Sequence, residues 1–307
     1  MKRADKSKTE FSEEKPESLK KRILMIGVKI IFTLAALYLI VTKADLAEIW
    51  HHLENMYAPY IIFALISLNI GQVMSALRTR FYFRNDGVAF YKKFSIALYY
   101  IGMFFNRLLP GGIGGDAYIA YVLKRKKKIP VRTSIRILLS SRASGLLLLM
   151  VFAFLLGYVS DLRDMIPHWN ILMTVGIAGT IFSYSFLTRL LLREKVETQI
   201  GAQKYSIVVQ GGVMAAAWFL FMSANTPGQM SDYLMIFMIS SVVTMIPISF
   251  GGVGMRELTY FYTAGIIGIN PELGIAVSLV YFLLDTFSSL AGLFFLYRID
   301  KIPTFEK

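Results

Sequence analysis

The segment NRLLPGGIGGDAY, residues 106–118, separates two apolar runs with a proline, four glycines and charges of both signs. A related segment, PISFGGVGMRELTY at residues 247–260, repeats the order of proline, paired glycine, third glycine and charge. Pro110 and Pro247 lack the backbone donor that a helix interior needs, and glycine tolerates the positive φ of a sharp reversal. We therefore predict that two helices break at these places.

The rest of the chain is strongly apolar. Of its 307 residues, 55% are hydrophobic and 17% are charged, whereas about a quarter of a typical soluble domain is charged. The chain contains no cysteine, which excludes disulfides, Cys-bound zinc and a thiol nucleophile. We predict an all-α polytopic membrane protein with about six transmembrane helices, the first of them a retained span and not a signal peptide. The apolar runs long enough to span are 23–42, 57–77, 137–159, 170–191, 206–223 and 275–297.

Basic residues are distributed unevenly around these runs. Five segments hold 27 of the 33 Lys and Arg residues, and the positive-inside rule is obeyed if all five face the cytoplasm. Those segments are 1–22, 78–93, 124–136, 189–204 and 298–307. This topology requires re-entrant helical hairpins, at 94–123 from the cytoplasmic face and at 233–269 from the outer face. We therefore predict a multi-pass protein of the plasma (inner) membrane with both termini in the cytoplasm.

Each half of the chain then contains two spans, a hairpin and a third span. An odd number of crossings inverts the second half relative to the first, an arrangement that recurs in transporters. Non-helical backbone at membrane depth must be satisfied by protein or by a wet cavity, so we expect a polar chamber between the hairpins. The predicted parts are a disordered cytoplasmic tail at 1–21, membrane repeat 1 at 22–159, membrane repeat 2 at 160–298 and a cytoplasmic C-terminus at 299–307.

Several charged residues remain inside the apolar segments. Apart from Lys29, whose side chain is expected to reach the nearby surface, they are Arg107, Asp116, Arg142, Arg256, Glu257 and Asp285. Charges at this depth usually pair or line a functional cavity. Asp116 and Glu257 either complement the dipole of the half-helix that each begins or pair with Arg107 and Arg256 beside the glycine turns. We also expect Arg142 to pair with Asp285 across a pseudo-twofold axis, in a structural or a functional role.

The chemistry of this core favours an anion, because arginines, helix N-termini and glycine N–H groups all suit phosphate. The predicted phosphate-binding or head-group-binding residues are Arg107, Gly111, Gly112, Gly114, Gly115, Arg142, Gly251, Gly252, Gly254 and Arg256. A site within the bilayer indicates that the phosphate belongs to the head group of a membrane lipid. The alternative is that both glycine motifs are merely tight turns.

The paired GG[IV]G motifs, with Arg142 after the first, resemble the lysylphosphatidylglycerol synthase transmembrane family, also described as flippase-like. The likeness covers about residues 22–298. It implies a membrane domain that moves lipids between leaflets, to which full synthases add a soluble aminoacyltransferase domain. This chain ends soon after its last span, so we expect no synthase activity. Relatives often carry an arginine where this chain has Asp285, which leaves the identity of the head group open.

Three functions are compatible with these residues. We favour a flippase or transporter of a phospholipid or lipid-linked precursor, with no cofactor, no metal, no nucleic-acid partner and an oligomeric state left open. A membrane transferase using Asp116 or Glu257 as general base is disfavoured, because the histidines lie in predicted outer loops and no metal-ligand or nucleotide-binding motif is present. A non-transporting partner protein could instead use the KRKKK run at 124–128, which otherwise acts as a topology determinant.

Overall fold

The computed structural model describes residues 19–109, 114–226, 228–246, 249 and 252–304. Within these ranges the chain forms α-helices joined by short turns, ends in a short 3₁₀ turn and contains no strand. The helices are α1 (Leu19–Lys43), α2 (Leu46–Glu54), α3 (Ala58–Asn85), α4 (Lys92–Leu108), α5 (Gly114–Lys127), α6 (Val131–Gly157), α7 (Leu162–Met165), α8 (Trp169–Leu192), α9 (Val196–Ser223), α10 (Met230–Thr244), α11 (Met255–Ile267), α12 (Pro271–Ser289) and α13 (Ala291–Arg298).

Five segments of the described chain are long and apolar enough to cross a membrane. They are α3, α6, α8, α9 and the stretch Pro271–Lys301, which contains α12 and α13. The pair α1 and α2 supplies a sixth if it counts as one span, although the chain bends by 89° between Ile30–Lys43 and Leu46–Glu54. The prediction of an all-α polytopic fold is confirmed.

The described chain contains two pairs of short helices. In the first pair α4 packs against α5, and in the second pair α10 packs against α11. The backbone N–H of Tyr91, just before α4, donates to the carbonyl of Thr304 at 3.3 Å. Lys126, in the last turn of α5, pairs with Asp300 at 3.0 Å. The first pair therefore begins and ends beside the C-terminal segment. We call this end of the bundle the basic end, formed by residues 85–93, 124–136, 192–198 and 298–304.

The second short pair begins and ends at the other end of the bundle. The Oγ of Ser231, in the first turn of α10, donates to the carbonyl of Val159 at 3.1 Å. The hydroxyl of Tyr233 donates to the carbonyl of Asn270, which caps α12 just after α11, at 3.2 Å. We call this the opposite end, formed by residues 44–57, 158–169, 224–226, 228–230 and 268–272. Re-entrance of the two pairs from opposite membrane faces, and the inverted repeat, stay predictions.

The centre of the bundle is an antiparallel pair, α3 and α9. The Oγ of Ser223, at the end of α9, donates to the carbonyl of Tyr57 just before α3 at 3.0 Å. At the basic end, the side-chain amide of Asn85 donates to the hydroxyl of Thr198 at 3.3 Å. Where the two helices cross, a Cβ on Gly212 would lie 2.8 Å from a backbone oxygen of α3, so only glycine fits this close approach.

The short pairs are exchanged between the two halves of the chain. α4 packs on α12 and α13, whereas α10 packs on α6. Gly292 permits the first of these contacts, because a Cβ at this position would overlap the carbonyl oxygen of Tyr100. Each short pair is therefore held by the last long helix of the other half, and side chains of both pairs reach the interior.

Three long helices extend beyond the apolar runs predicted from the sequence. α3 continues past residue 77 to Asn85, α6 begins at residue 131 and α9 begins at residue 196. Hydropathy marks only the apolar part of a helix, whereas the helix itself continues to a stop such as Asp86–Gly87, whose glycine has a φ of +82°. The predicted residues Pro110, Gly111, Gly112, Pro247 and Gly251 lie outside the described residues, as does the predicted tail up to residue 18.

Candidate functional site

A polar cavity of about 230 Å³ lies inside the helix bundle. Its walls come from α3, α4, α5 and α6, and from Met245 just after α10, so both short pairs contribute to it. Polar and charged groups cost free energy when they are buried among apolar helices, and where they occur they usually mark a functional site. The polar residues of the wall are Ser75, Arg78, Thr79, Tyr99, Asn106, Asp116, Ser141 and Arg142.

Arg142 and Asp116 form an ion pair in the cavity wall, with 2.8 Å between Nη2 and Oδ2. Asp116 lies in the first turn of α5 and Arg142 lies midway along α6, and these two helices pack together. The side chains keep 20% and 37% of their surface exposed, so both charges face the cavity instead of being sealed off from it. The structure thus places Arg142 in the cavity wall, with Asp116 as its partner.

Asp285 pairs with Arg107 and not with Arg142. The Nε2 of Gln72 donates to Asp285 at 3.1 Å, and the guanidinium of Arg107 lies 4.9 Å from the centre of the Phe282 ring. The predicted Arg142–Asp285 pair is therefore wrong. The pairing differs from the prediction because of helix packing. Helix α4 lies against α12, whereas α6 lies against α5.

Arg256 contacts two aromatic rings and has no carboxylate partner among the described residues, and its Nη1 is buried without a hydrogen-bond partner. Its guanidinium lies 4.1 Å from the centre of the Phe237 ring and 4.6 Å from that of Tyr281, and its Nη2 donates to Ser241 at 3.2 Å. Cation–π contacts of this kind stabilise a desolvated guanidinium. Because Tyr281 and Phe282 are consecutive on α12, this helix brings Arg256 and Arg107 to the same turn.

Glu257 faces away from the arginine beside it. One carboxylate oxygen accepts a hydrogen bond from Ser278 of α12 at 2.8 Å, and the other is buried without a hydrogen-bond partner. Consecutive helix residues point in different directions, so Glu257 cannot follow Arg256 into its aromatic contact. The predicted pairing of both acids with the arginines beside the glycine turns is therefore wrong, because Asp116 and Glu257 each have another partner.

The described glycines of the two motifs allow unusual backbone angles and close contacts between helices. Gly252 and Gly254 have φ of +81° and +82°, the left-handed values predicted for a reversal. Gly115 donates its N–H to Oδ1 of Asn106 at 2.8 Å, so this donor is already used. A Cβ on Gly115 would overlap the carbonyl of Gly102, and the contact of α4 with α5 requires both glycines to be small. Phosphate binding by Gly114, Gly115, Gly252 and Gly254 stays a prediction.

Two hydrogen bonds link the cavity to the Arg107–Asp285 pair. The hydroxyl of Tyr99, in the cavity wall, donates to Oε1 of Gln72 at 2.9 Å. The amide of Gln72 in turn donates to Asp285 at 3.1 Å. Hydrogen-bonded side chains therefore connect the cavity wall, which contains the Arg142–Asp116 pair, to the Arg107–Asp285 pair.

Comparison with known proteins identifies the family of this chain. A family model for the lysylphosphatidylglycerol synthase transmembrane region matches residues 24–203 and 200–292. The chain belongs to this family. It is also similar to the UPF0104 membrane protein MJ1078 of Methanocaldococcus jannaschii, with 23% identity over 228 residues, which are 65% of this chain and 95% of that protein. The protein is therefore a multi-pass membrane protein, and the resemblance noted in the sequence is confirmed.

Sequence reasoning missed Arg78, which it assigned to the cytoplasmic segment 78–93. Arg78 is only 5% exposed, and it lines the polar cavity. Its guanidinium donates to Ser141 at 3.2 Å, to Ser206 at 3.0 Å and to Ser75 at 3.3 Å. The feature that could have found it is the absence of a helix stop before Asp86–Gly87, which keeps Arg78 on α3.

The cavity wall as a whole is suited to anions. Arg78 and Arg142 contribute two positive charges and Asp116 one negative charge, which leaves one positive charge in excess. Hydroxyl and amide groups add further hydrogen-bonding capacity. The described residues contain no group of three or more His, Asp or Glu side chains placed to hold a metal ion.

Proposed function

We propose that this protein moves a phosphate-bearing lipid, a phospholipid or a lipid-linked precursor, between the leaflets of its membrane. The head group would pass through the polar cavity while the acyl or prenyl tails remain in the hydrocarbon. The observation that carries the proposal is a polar cavity with one excess positive charge inside a bundle of membrane-length helices. Membership of the synthase transmembrane family supports a lipid-related role.

The placement of the helices supports access from both sides. The cavity receives side chains from the pair α4 and α5, which starts at the basic end, and Met245 from the segment after α10, which starts at the opposite end. Motion of one half of the bundle against the other would open the cavity to each leaflet in turn. In this proposal the basic end faces the cytoplasm, in the plasma membrane, because that orientation satisfies the positive-inside rule.

The proposed transport involves no covalent change in the lipid. A general base must reach the proton that it removes. Asp116 is held by Arg142, and Glu257 is held by Ser278 outside the cavity wall. These contacts favour a transporter over a transferase that would use either carboxylate as a base.

Purified protein in vesicles of phosphatidylcholine with a trace of fluorescent phosphatidylglycerol tests the proposal. Dithionite quenches only the outer leaflet, so transport appears as a second phase of fluorescence loss. We expect wild-type protein to produce that phase and Arg142→Gln to slow it by at least about tenfold, because the cavity loses a charge-assisted donor. Arg163→Gln, at an exposed arginine of α7, is the matched control and should transport normally.

Two outcomes would overturn the proposal. One is a wild-type rate equal to that of protein-free vesicles. The other is covalent modification of the fluorescent lipid, seen as a change in its mass after incubation. The second outcome would favour the transferase.

A further inference from the structure

Two arginines of the membrane core, Arg78 and Arg256, have no carboxylate partner among the described residues, and of these two only Arg78 lines the cavity. Arg107 pairs with Asp285, Arg142 pairs with Asp116, and Arg256 stacks on two aromatic rings. Arg78 contacts three serine hydroxyls, which orient a guanidinium without cancelling its charge. No carboxylate of the described residues forms an ion pair with it. A nearly fully buried cation of this kind calls for an anion from elsewhere.

The donor geometry of Arg78 leaves room for that anion. A guanidinium has five N–H donors, and the three serine bonds occupy one on Nε, one on Nη1 and one on Nη2. One N–H therefore remains on each terminal nitrogen. Two parallel donors on a fixed plane match two oxygens of a phosphate, and Arg78 lies in the wall of the 230 Å³ cavity.

In the second half of the chain, an aspartate that pairs with an arginine stands where the first half has a glycine. Gly145 follows Gly114 by the same interval of 31 residues that separates Asp285 from Gly254. Gln72 donates to Asp285 at 3.1 Å, and Gln210 donates to the carbonyl of Gly145 at 3.0 Å. The interval places Asp285 and Gly145 at corresponding positions of the predicted repeat, whereas the two glutamines are two residues out of that register.

Glycine at this place is what leaves Arg78 unpaired. A Cβ on Gly145 would lie 3.0 Å from Nη1 of Arg78 and 3.2 Å from Nη2. An aspartate here would therefore meet the guanidinium directly, as Asp285 meets Arg107. Arg107 therefore has a carboxylate partner, whereas Arg78 has a glycine at the corresponding place.

From these contacts we propose that Arg78 is the anion-binding centre of the cavity and binds the phosphate oxygens of the ligand through its two remaining N–H donors. Ser75, Ser141 and Ser206 hold the guanidinium in position. The inference rests on the proposed function for the lipid nature of the ligand, and it assigns recognition to a residue outside the two glycine motifs.

Binding is tested separately from transport by thermal unfolding of the detergent-purified protein. The probes are dioctanoyl phosphatidylglycerol, uncharged dioctanoylglycerol with the same chains, and inorganic phosphate. We expect the phosphatidylglycerol to raise the melting temperature of the wild type and the uncharged lipid to have no such effect. A rise with inorganic phosphate would show that the same site also accepts free phosphate.

The variants identify the residue. Arg78→Gln should weaken binding of dioctanoyl phosphatidylglycerol by at least about tenfold, the usual effect of losing a charged hydrogen-bond partner. Gly145→Asp should weaken it similarly while keeping Arg78, because the new carboxylate would lie beside the guanidinium and compensate its charge. Gly145→Asn, which is neutral and of the same size, is the matched control and should bind more tightly than Gly145→Asp by about the same factor.

The outcomes separate the two proposals. Equal stabilisation of wild type and Arg78→Gln by phosphatidylglycerol would overturn the assignment, as would equal affinities of Gly145→Asp and Gly145→Asn. A wild type stabilised by no phosphate-bearing probe would also overturn it. Binding that depends on Arg78, in a protein that moves no lipid in vesicles, would reject the proposed function and support the site.

Discussion

Arg107 and Arg256 lie on the short helices beside the two glycine motifs, yet different contacts stabilise their positive charges. Arg107 uses the carboxylate of Asp285, and Arg256 uses the faces of Phe237 and Tyr281. An ion pair away from water depends on both partners, because removal of one leaves the other as an uncompensated charge. A cation–π contact leaves no such charge behind when the arginine is removed.

This difference predicts the effect of Asp285→Asn. The substitution keeps the size of the side chain but removes the carboxylate that pairs with Arg107, so we expect it to destabilise the protein by about 3 kcal/mol. Asp86→Asn is the matched control, because Asp86 pairs with Arg136 at the basic end, where both side chains are about a third exposed. That change should cost less than about 1 kcal/mol. Thermal unfolding in detergent measures both, and equal losses would contradict the prediction.

Which residues could be predicted from sequence follows from the kind of information each one needs. The importance of Arg107, Arg142 and Asp285 is visible in the sequence, because charges in apolar runs are rare. Their partners are not visible, since pairing depends on which helices touch. Arg78 was missed because counting charges assigns an arginine at the end of an apolar run to a loop, whereas α3 continues to Asn85.

At the scale of helices, close approach depends on small residues where backbones meet. Gly115 of α5 faces the carbonyl of Gly102 on α4, and Gly212 of α9 faces the backbone of α3. Glycine lets apolar helices gain dispersion contacts and weak backbone contacts that larger residues prevent. The glycine motif thus contributes to helix packing as well as to the predicted turn.

Gly115→Ala is therefore expected to separate α4 from α5 and to destabilise the protein by about 1–3 kcal/mol, the usual range for overpacking. Gly179→Ala is the control, because Gly179 lies within α8 and a Cβ there would meet nothing within 4 Å. Alanine favours a helix over glycine, so this control should leave the melting temperature unchanged or raise it. A harmless Gly115→Ala would show that the two helices are not held by this contact.

The connection between α8 and α9 carries a carboxyl group that is sensitive to pH. Burial raises the pKa of Glu194 above its ordinary value of 4.5, and the positive charge of Arg136 offsets only part of this effect. A hydrogen bond with Ser140 also lowers the pKa, but by less than burial raises it. The folded state therefore binds the Glu194 proton more tightly than the unfolded chain does.

Stability should consequently be highest below about pH 4.5 and fall as the pH rises through the raised pKa of Glu194, because the folded protein must then hold a charged carboxylate in a buried position. Glu194→Gln cannot ionise, so its melting temperature should lose this part of the decline and exceed that of the wild type at neutral pH. Glu197→Gln, at an exposed position in the first turn of α9, is the control and should follow the wild type. Parallel curves for wild type and Glu194→Gln would refute the prediction.

At the scale of the whole molecule, the distribution of charge and the exchange of short helices point to the same topology. The basic end gathers the KRKKK run, Arg136 and Arg298, whereas the opposite end holds few basic residues. The all-α fold and its membrane-length helices follow from hydropathy alone. The packing of α4 on α12 and of α10 on α6 does not, because sequence similarity between the halves is confined to the glycine motifs and their neighbours.

The chain has no cysteine, so single introduced cysteines can report which side of the membrane each end of a short pair occupies. Lys93→Cys and Arg125→Cys mark the start of α4 and the last part of α5, and both positions are exposed at the basic end. Gln229→Cys marks the start of the second pair at the opposite end.

In sealed cells, we expect a membrane-impermeant maleimide to label Gln229→Cys at once and the other two variants only after permeabilisation. The reason is that α4 and α5 would enter and leave from the cytoplasm, with the basic end held there by its charge. Labelling of Lys93→Cys and Arg125→Cys from different sides would mean that α4 and α5 together cross the membrane. That result would remove the inverted repeat and, with it, the access to the cavity from both leaflets on which lipid transport depends.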